Sequence, residues 1–279
     1  MFSSPVRVQG QRGRDQTGPE VGGVHKHGAF EIMTFSNAFH GPTLATMSAS
    51  GKPGWDTLFA PQVPGFPKAD FSGIDSVLNL VSDKTVAIML EPIQGEAGVI
   101  PASHAFQQAL RTSCKEHDLL LIYDEVQTGC GRTGPLFAYE RSGIEPDIMT
   151  LGKGLGGGAP LSALLARSEV SCFVADDQGR TFCGNPLICA VGVAVMQTLL
   201  AEGFLDNAQA TAQVFSDKLR GLSHDLGLGE VKGSGWLLAL ELGSDIAPQV
   251  VEQARARLAV ECATSSVSAL HAGTQHELA

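Results

Sequence analysis

The chain is short of positive charge. Its 279 residues carry 19 Lys and Arg against 29 Asp and Glu, a formal net charge of −10 and a pI near 5.2. That balance argues against a broad nucleic-acid or anionic-membrane surface. Long apolar runs are missing too. No stretch approaches the roughly 20 residues needed to cross a bilayer. The start, Met1-Phe-Ser-Ser-Pro-Val-Arg7, has no hydrophobic core of a secretion signal. The six cysteines (Cys114, Cys130, Cys172, Cys183, Cys189, Cys262) form no C-x-x-C pair. We expect them to be reduced thiols of a cytoplasmic protein, mostly small core residues. A Walker A loop is absent, because Lys153 is followed by Gly154 and the first glycine of that motif is missing.

What the chain does have is apolar content, 43% of its residues, enough for one large core or two unequal domains. Thr85 to Leu90 is a nearly continuous apolar run, the pattern of a strand buried on both faces. Ser103 is placed to cap a helix running to about His117, with Phe106, Ala109, Leu110 and Cys114 at helical spacing. Leu119 to Tyr123 is the next strand, which makes a parallel βαβ unit. Ile148 to Leu151 is a further short strand. Helices are expected over Asn185 to about Leu200 and Leu205 to about Leu222, and Gly233-Ser-Gly235 leads into a strand over Trp236 to Leu242. Residues 1 to about 22 and those from about Leu258 onward show no periodicity and read as disordered tails.

In a parallel sheet, ligand chemistry collects beyond the carboxyl ends of the strands. Glu91, Asp124 and Lys153 all fall there. Pyridoxal phosphate requires a lysine for its aldehyde, an acid for its pyridine nitrogen, phosphate donors and apolar contact with the ring. Lys153 is the candidate lysine and Asp124 the candidate acid. Val126 is placed to pack on the ring, and Gln127 to reach its phenolic oxygen. Each signal alone is weak. A lysine beside glycines is usually a solvated loop residue, and Asp-Glu at a strand end is equally a helix cap or a metal ligand. Glu96, in Glu91-Pro-Ile-Gln-Gly-Glu96, is either a surface acid on a turn or a partner for a positive group in the site. Thr181, before the helix opened by Asn185, is either a cap or a phosphate donor. The run Gly152-Lys-Gly154-Leu-Gly-Gly157 formally fits G-x-G-x-x-G, with Asp176 roughly where a ribose-binding acid falls, but Pro160 disfavours the helix that motif needs.

The segments FHG (39–41), EPIQGEAG (91–98), DEVQTGCGRTG (124–134), PDIMTLGKGLGGGAP (146–160) and TFCGNPL (181–187) occur in this order. Together, over about Gly28 to Arg257, they resemble the class III pyridoxal-phosphate aminotransferases, most of all acetylornithine (succinyldiaminopimelate) aminotransferases. The resemblance implies an α/β chain of fold type I, a mostly parallel sheet flanked by helices. Residues 28–230 would be an incomplete cofactor-binding large domain and 231–257 a remnant of a small C-terminal domain, with irregular tails at 1–27 and 258–279. It also implies a homodimer with active sites shared across the interface. By the same resemblance Lys153 is the Schiff-base lysine, Asp124 the pyridine-nitrogen acid and Gln127 the ring-hydroxyl contact. Phe39 stacks on the ring, Thr181 gives its hydroxyl to the neighbouring subunit's cofactor phosphate, and Glu96 neutralises a substrate-binding arginine. The implied reaction is ping-pong transfer of an amino group from N2-acetylornithine to 2-oxoglutarate in arginine biosynthesis, with Lys153 moving the α-proton.

Three departures from the family stand out. Pro42 follows F-H-G where the family has a carboxylate-holding arginine. Gln11 to Gly22 stands where a small-residue phosphate cup is expected. The residues after Leu258 replace a segment bearing a second substrate arginine. For both end segments, codons can be chosen so that a shifted frame reads the family peptides. The expectation is therefore a frame-shifted, damaged chain with weak cofactor retention and impaired turnover. Other readings are a catalytically inactive homologue, another class III transaminase (ornithine, 4-aminobutyrate or succinyldiaminopimelate) and, on the glycine run alone, a nicotinamide-dependent oxidoreductase.

Overall fold

Six consecutive buried residues with no polar break can only sit inside a sheet covered on both faces, and β3 (Thr85–Leu90) is such a strand, buried at every position. It occupies the interior of a six-stranded sheet in the computed structural model, which describes residue 23 and residues 26–58, 60–172, 182–258, 262–264 and 269–272. The other strands are β1 (Glu31–Phe35), β2 (Lys68–Ala69), β6 (Leu120–Asp124), β7 (Ile148–Leu151) and β8 (Ala163–Ala166), in the order β2-β1-β3-β6-β7-β8. All neighbours run parallel except β7 and β8. Between β3 and β6 the chain makes a small hairpin of β4 (Ile93–Gln94) and β5 (Ile100–Pro101).

Helix His104–Glu116 covers one face of this sheet. Ser103 caps it, its Oγ accepting from Phe106 N–H at 3.1 Å. Phe106, Leu110 and Cys114 then meet Ile88 and Leu90 of β3 and Leu121 and Tyr123 of β6. Ala87 and Met89 point to the other face, against Ile32, Ile122 and Ile148. Full burial of an aliphatic side chain contributes about 1.5–3 kcal/mol, so this two-sided layer dominates the fold's stability. Ala109, expected on the helix's apolar face, is half-buried, and Gln107 is buried beside it. Gln107 Nε2 donates to Ala102 O at 2.9 Å and its Oε1 accepts from the Tyr123 hydroxyl at 3.0 Å, so a polar side chain satisfies a buried phenol.

A second, antiparallel sheet follows, in the order β11-β12-β10-β9, from β9 (Val231–Ser234), β10 (Leu237–Glu241), β11 (Cys262–Thr264) and β12 (Ala269–Ala272). It docks on the loop after β6. Trp236 N–H donates to Arg132 O at 2.9 Å and Ser234 Oγ to Thr133 O at 3.0 Å. Gly235 has no substitute here, because a Cβ would lie 2.6 Å from Thr133 C and 2.7 Å from Arg132 O while φ is +59°. β11 and β12 fall where the sequence suggested an irregular tail. Strands of three and four residues are too short to show periodicity, and pairing of β12 with β10 and of β11 with β12 supplies their order. The expected tail over 1–22 lies outside the described residues. Lys26, in the supposed 1–27 tail, is anchored, its Nζ donating to Asp118 O at 2.7 Å and His117 O at 3.0 Å.

Helices Pro186–Leu199 and Phe204–Leu226 match the expected spans, with Asn185 Oδ1 capping the first. They expose the apolar side chains Leu187, Val193 and Val214. No single helix among the described residues is long and apolar enough to cross a membrane. Cys114 is a core residue as expected, but Cys183 and Cys189 are exposed. Cys183 precedes helix Pro186–Leu199 and Cys189 lies in its first turns, where Leu187 and Val193 also face solvent.

Candidate active site

The parallel strands deliver their carboxyl ends to one edge. β1 leads to Phe39 and His40, β3 to Glu91, β6 ends on Asp124, and β7 leads through Gly152 to Lys153. Asp124 is buried and stands opposite Thr150 in the β6–β7 register. Its Oδ1 accepts from Thr150 Oγ1 at 3.1 Å and from Val126 N–H at 3.3 Å. Its Oδ2 lies 2.8 Å from His40 Nδ1, and His40 N–H is fixed on Ser50 Oγ at 2.8 Å. Asp124 is thus oriented from three elements. Glu125 turns the other way. Its carboxylate accepts from Thr128 Oγ1 and from the backbone N–H groups of Ala138 and Tyr139 at 2.8–2.9 Å, and it braces the following loop. The Asp-Glu pair therefore divides into a site acid and a structural one, as strand alternation requires.

Lys153 opens a single 3₁₀ turn, Lys153–Gly156, with φ of +42°. A non-glycine residue in that region stores strain of about 1–3 kcal/mol. Gly152 makes the turn possible next to Val126, since a Cβ there would lie 3.2 Å from Val126 Cγ1. Val126 is thereby beside the residue preceding Lys153. Gln127 lies directly over Gly95, where a Cβ would collide with its amide. This joins the loop after β6 to the Glu91–Gly98 turn. No long helix starts in the Gly152–Gly157 run, and the next strand, β8, is antiparallel. The dinucleotide-binding reading needs a helix there and fails.

Glu91 is buried, and its Oε2 accepts from Phe39 N–H at 2.9 Å. Burial first, then the Asp124 charge, pushes its carboxyl up to about 8, against the Phe39 N–H and Lys153, which favour the ionised form. Glu96 is only partly covered, with Lys52 Nζ 3.8 Å from its Oε2. Phe39 packs edge-to-face on Trp55 at 5.6 Å between ring centroids. Thr181 lies outside the described residues. The structure thus brings Lys153, Asp124, Val126, Gln127, Glu96 and Phe39 to one edge. Sequence reasoning missed His40, Thr150 and Lys52. His40 stood inside the F-H-G segment, but its link to Asp124 spans 84 residues and left no local signal.

The class III aminotransferase family model matches residues 7–271. This chain belongs to the class III aminotransferases. The match runs beyond Gly28 and Arg257, the limits set by the motifs. Acetylornithine aminotransferase of Ralstonia nicotianae is 59% identical over 259 residues, covering 91% of this chain and 65% of that protein. Acetylornithine aminotransferase 2 of Bordetella parapertussis is 58% identical over 255 residues, covering 91% and 64%. Among solved structures, an ornithine aminotransferase of Toxoplasma gondii with partial pyridoxal-phosphate occupancy at its active site superposes with a TM-score of 0.88 at 29% identity, covering 98% of this chain and 66% of that one. The chain therefore spans 64–65% of the length of these curated relatives.

The cofactor of the family is pyridoxal 5′-phosphate, and the residues present fit it. A buried carboxylate braced by a hydroxyl and an imidazole suits a protonated ring nitrogen. A lysine held in a left-handed turn beside Val126 suits an aldehyde on an apolar-faced ring.

Proposed function

We propose that the chain carries the cofactor half of an acetylornithine-type transaminase, taking N2-acetylornithine as amino donor and 2-oxoglutarate as acceptor. The observation that carries this is Asp124, braced by Thr150 and His40 at the strand ends next to the Lys153 turn. In this reading Asp124 pairs with the ring nitrogen, with His40 holding its orientation. Phe39 and Val126 face the ring, and Gln127 meets its hydroxyl. When bound, pyridoxal phosphate supplies an electron sink that makes the substrate's α-proton labile. With the cofactor bound, Lys153 would hold its aldehyde, and the lysine's amine would carry the substrate's α-proton as general base and then acid. Thr181 would serve the phosphate.

The donor is inferred from the names of the relatives at 58–59% identity. Ornithine, 4-aminobutyrate and succinyldiaminopimelate remain the competing donors. We also propose a cytoplasmic homodimer, supported by the exposed apolar residues Leu187 and Val193 on helix Pro186–Leu199, with residues 28–230 as the cofactor domain and 231–257 within the smaller one. Pro42 offers no N–H donor to a substrate, so turnover is expected below that of the relatives. Adding pyridoxal phosphate should produce a visible absorption band that Lys153→Ala removes. A folded chain with no such band fits a non-catalytic homologue instead.

A further inference from the structure

The loop from Glu125 to Tyr139 has one limb at the site and the other against the second sheet. The near limb carries Val126 and Gln127, and a Cβ on Gly95 would lie 1.8 Å from Gln127 Oε1. The far limb offers Arg132 O to Trp236 N–H at 2.9 Å and Thr133 O to Ser234 Oγ at 3.0 Å. The second sheet also rests on the hairpin that carries Gly95, where Ile93 and Val99 form a buried cluster with Leu237 and Ala239 of β10. Loop, hairpin and second sheet therefore meet in a triangle, and the contact of Gln127 with Gly95 is one of its corners.

One side chain closes the loop. Glu125 is 1% exposed, and its two oxygens accept from three donors. Thr128 Oγ1 reaches it from the near limb at 2.9 Å. The N–H groups of Ala138 and Tyr139 reach it from the far end at 2.8 and 2.9 Å. A carboxylate that accepts at both oxygens and donates at neither suits such converging donors, and a side chain with its own N–H does not. Thr133 Oγ1 adds a cross-tie to Thr128 O at 3.4 Å, with both threonines buried. Removing a buried acceptor leaves its donors unsatisfied, so the loop depends on this clasp. Contiguous packed contacts of this kind carry coupling from one place in a fold to another.

We infer that Glu125 is a positioning residue: by clasping the two ends of this loop, it makes docking of the second sheet on Arg132 and Thr133 hold Gln127 against Gly95. The consequence for the cofactor rests on the transaminase reading of the site, whereas the link between sheet, loop and hairpin does not. Hydrogen–deuterium exchange of the full chain without cofactor tests that link. Glu125→Gln keeps the shape and sets an amide donor where Ala138 or Tyr139 N–H now donates. It should speed exchange about tenfold in peptides covering 126–139, 91–98 and 231–241 together, and leave His104–Glu116 at the parent rate. Ser234→Ala, at the sheet end, should speed 126–139 and 91–98 in the same direction. Glu140→Gln, at an exposed position, should change none of them. With pyridoxal phosphate added, Glu125→Gln should still form the Lys153 band, at a shifted wavelength and with about fivefold weaker binding. Adding Ser234→Ala should change it little further, because the two act along one path. Where Glu125→Gln does not fold, Thr128→Val and Ser234→Ala carry the same comparison. Opening confined to 126–139, or a lowered melting temperature with 91–98 unchanged, overturns the inference. If exchange is coupled and the parent forms no band, the transaminase reading falls and the clasp stands. If the parent band forms and ignores these variants, the positioning role falls and the transaminase reading stands.

Discussion

The two edges of the parallel sheet use charge differently. At the amino edge, charged groups are consumed by the fold. Asp147 accepts from Leu121 N–H at 2.7 Å and Arg111 Nη1 at 2.8 Å, and Arg167 pairs with Glu145 at 2.9 Å. Lys26 is spent on backbone carbonyls. At the carboxyl edge the groups are oriented rather than consumed. Asp124 is braced on its flanks, burial holds the Glu91 carboxyl above its ordinary range, Lys153 is held in a strained turn, and Lys52 and Glu96 touch loosely. Buried or half-buried charges arranged this way mark a place where a ligand completes the set.

The sharpest way to break this contrast is to remove one acid from each edge. Asp124→Asn, which keeps an oxygen for Thr150 and Val126, should weaken pyridoxal-phosphate affinity about 100-fold, since a charged hydrogen-bonded partner is worth about 2–5 kcal/mol, with a small effect on unfolding. Absorbance titration beside urea denaturation reads both. Asp147→Ala should do the reverse, lowering stability by about 3 kcal/mol because Arg111 and the Leu121 N–H lose their partner, while folded protein keeps its cofactor affinity. If Asp147→Ala also abolished binding at full folding, the division between edges would not hold.

Glu91 sharpens the comparison through pH. Its carboxyl is raised to about 8 mainly by burial, with Asp124 adding and Phe39 N–H and Lys153 opposing. The folded chain therefore keeps a proton that the unfolded chain releases near the usual carboxylate range. Stability from this group is complete below that range and declines as pH rises through about 8. Glu91→Gln keeps an acceptor for Phe39 N–H and removes the titration. Its stability advantage over the parent should grow from pH 5 to pH 8 and reach about 2 kcal/mol or more. A constant difference across that range would mean Glu91 is ionised throughout. The smallest effect is expected at Arg167, which is itself 40% exposed and makes its shortest ion pair with exposed Glu145. Arg167→Ala should cost less than about 1 kcal/mol by urea denaturation.

Much of this was legible in the chain because local rules agree with the tertiary ones. β3 and β7 end where their apolar runs end, and Ser103 and Asn185 cap the helices their spacing suggested. Asp124, Gln127 and Lys153 were visible because motifs sit at strand ends. Less visible were contacts made by closure of the fold. His40 reaches Asp124, and Lys52 reaches Glu96, across segments whose sequence says nothing about proximity. Gln107 took a buried position for the same reason, since its partner Tyr123 lies on another element. Short β11 and β12 exist through pairing rather than pattern.

The central claim is that Lys153, and no other amine, meets the cofactor. Incubating the full chain with pyridoxal phosphate, reducing with borohydride and mapping peptides by mass spectrometry tests it most directly. The account predicts one reduced pyridoxyl-phosphate group on the peptide containing Lys153, and strongly reduced labelling there after Asp124→Asn at cofactor concentrations that just saturate the parent. Labelling spread over surface lysines such as Lys115 or Lys218, with Lys153 unmodified, would contradict it.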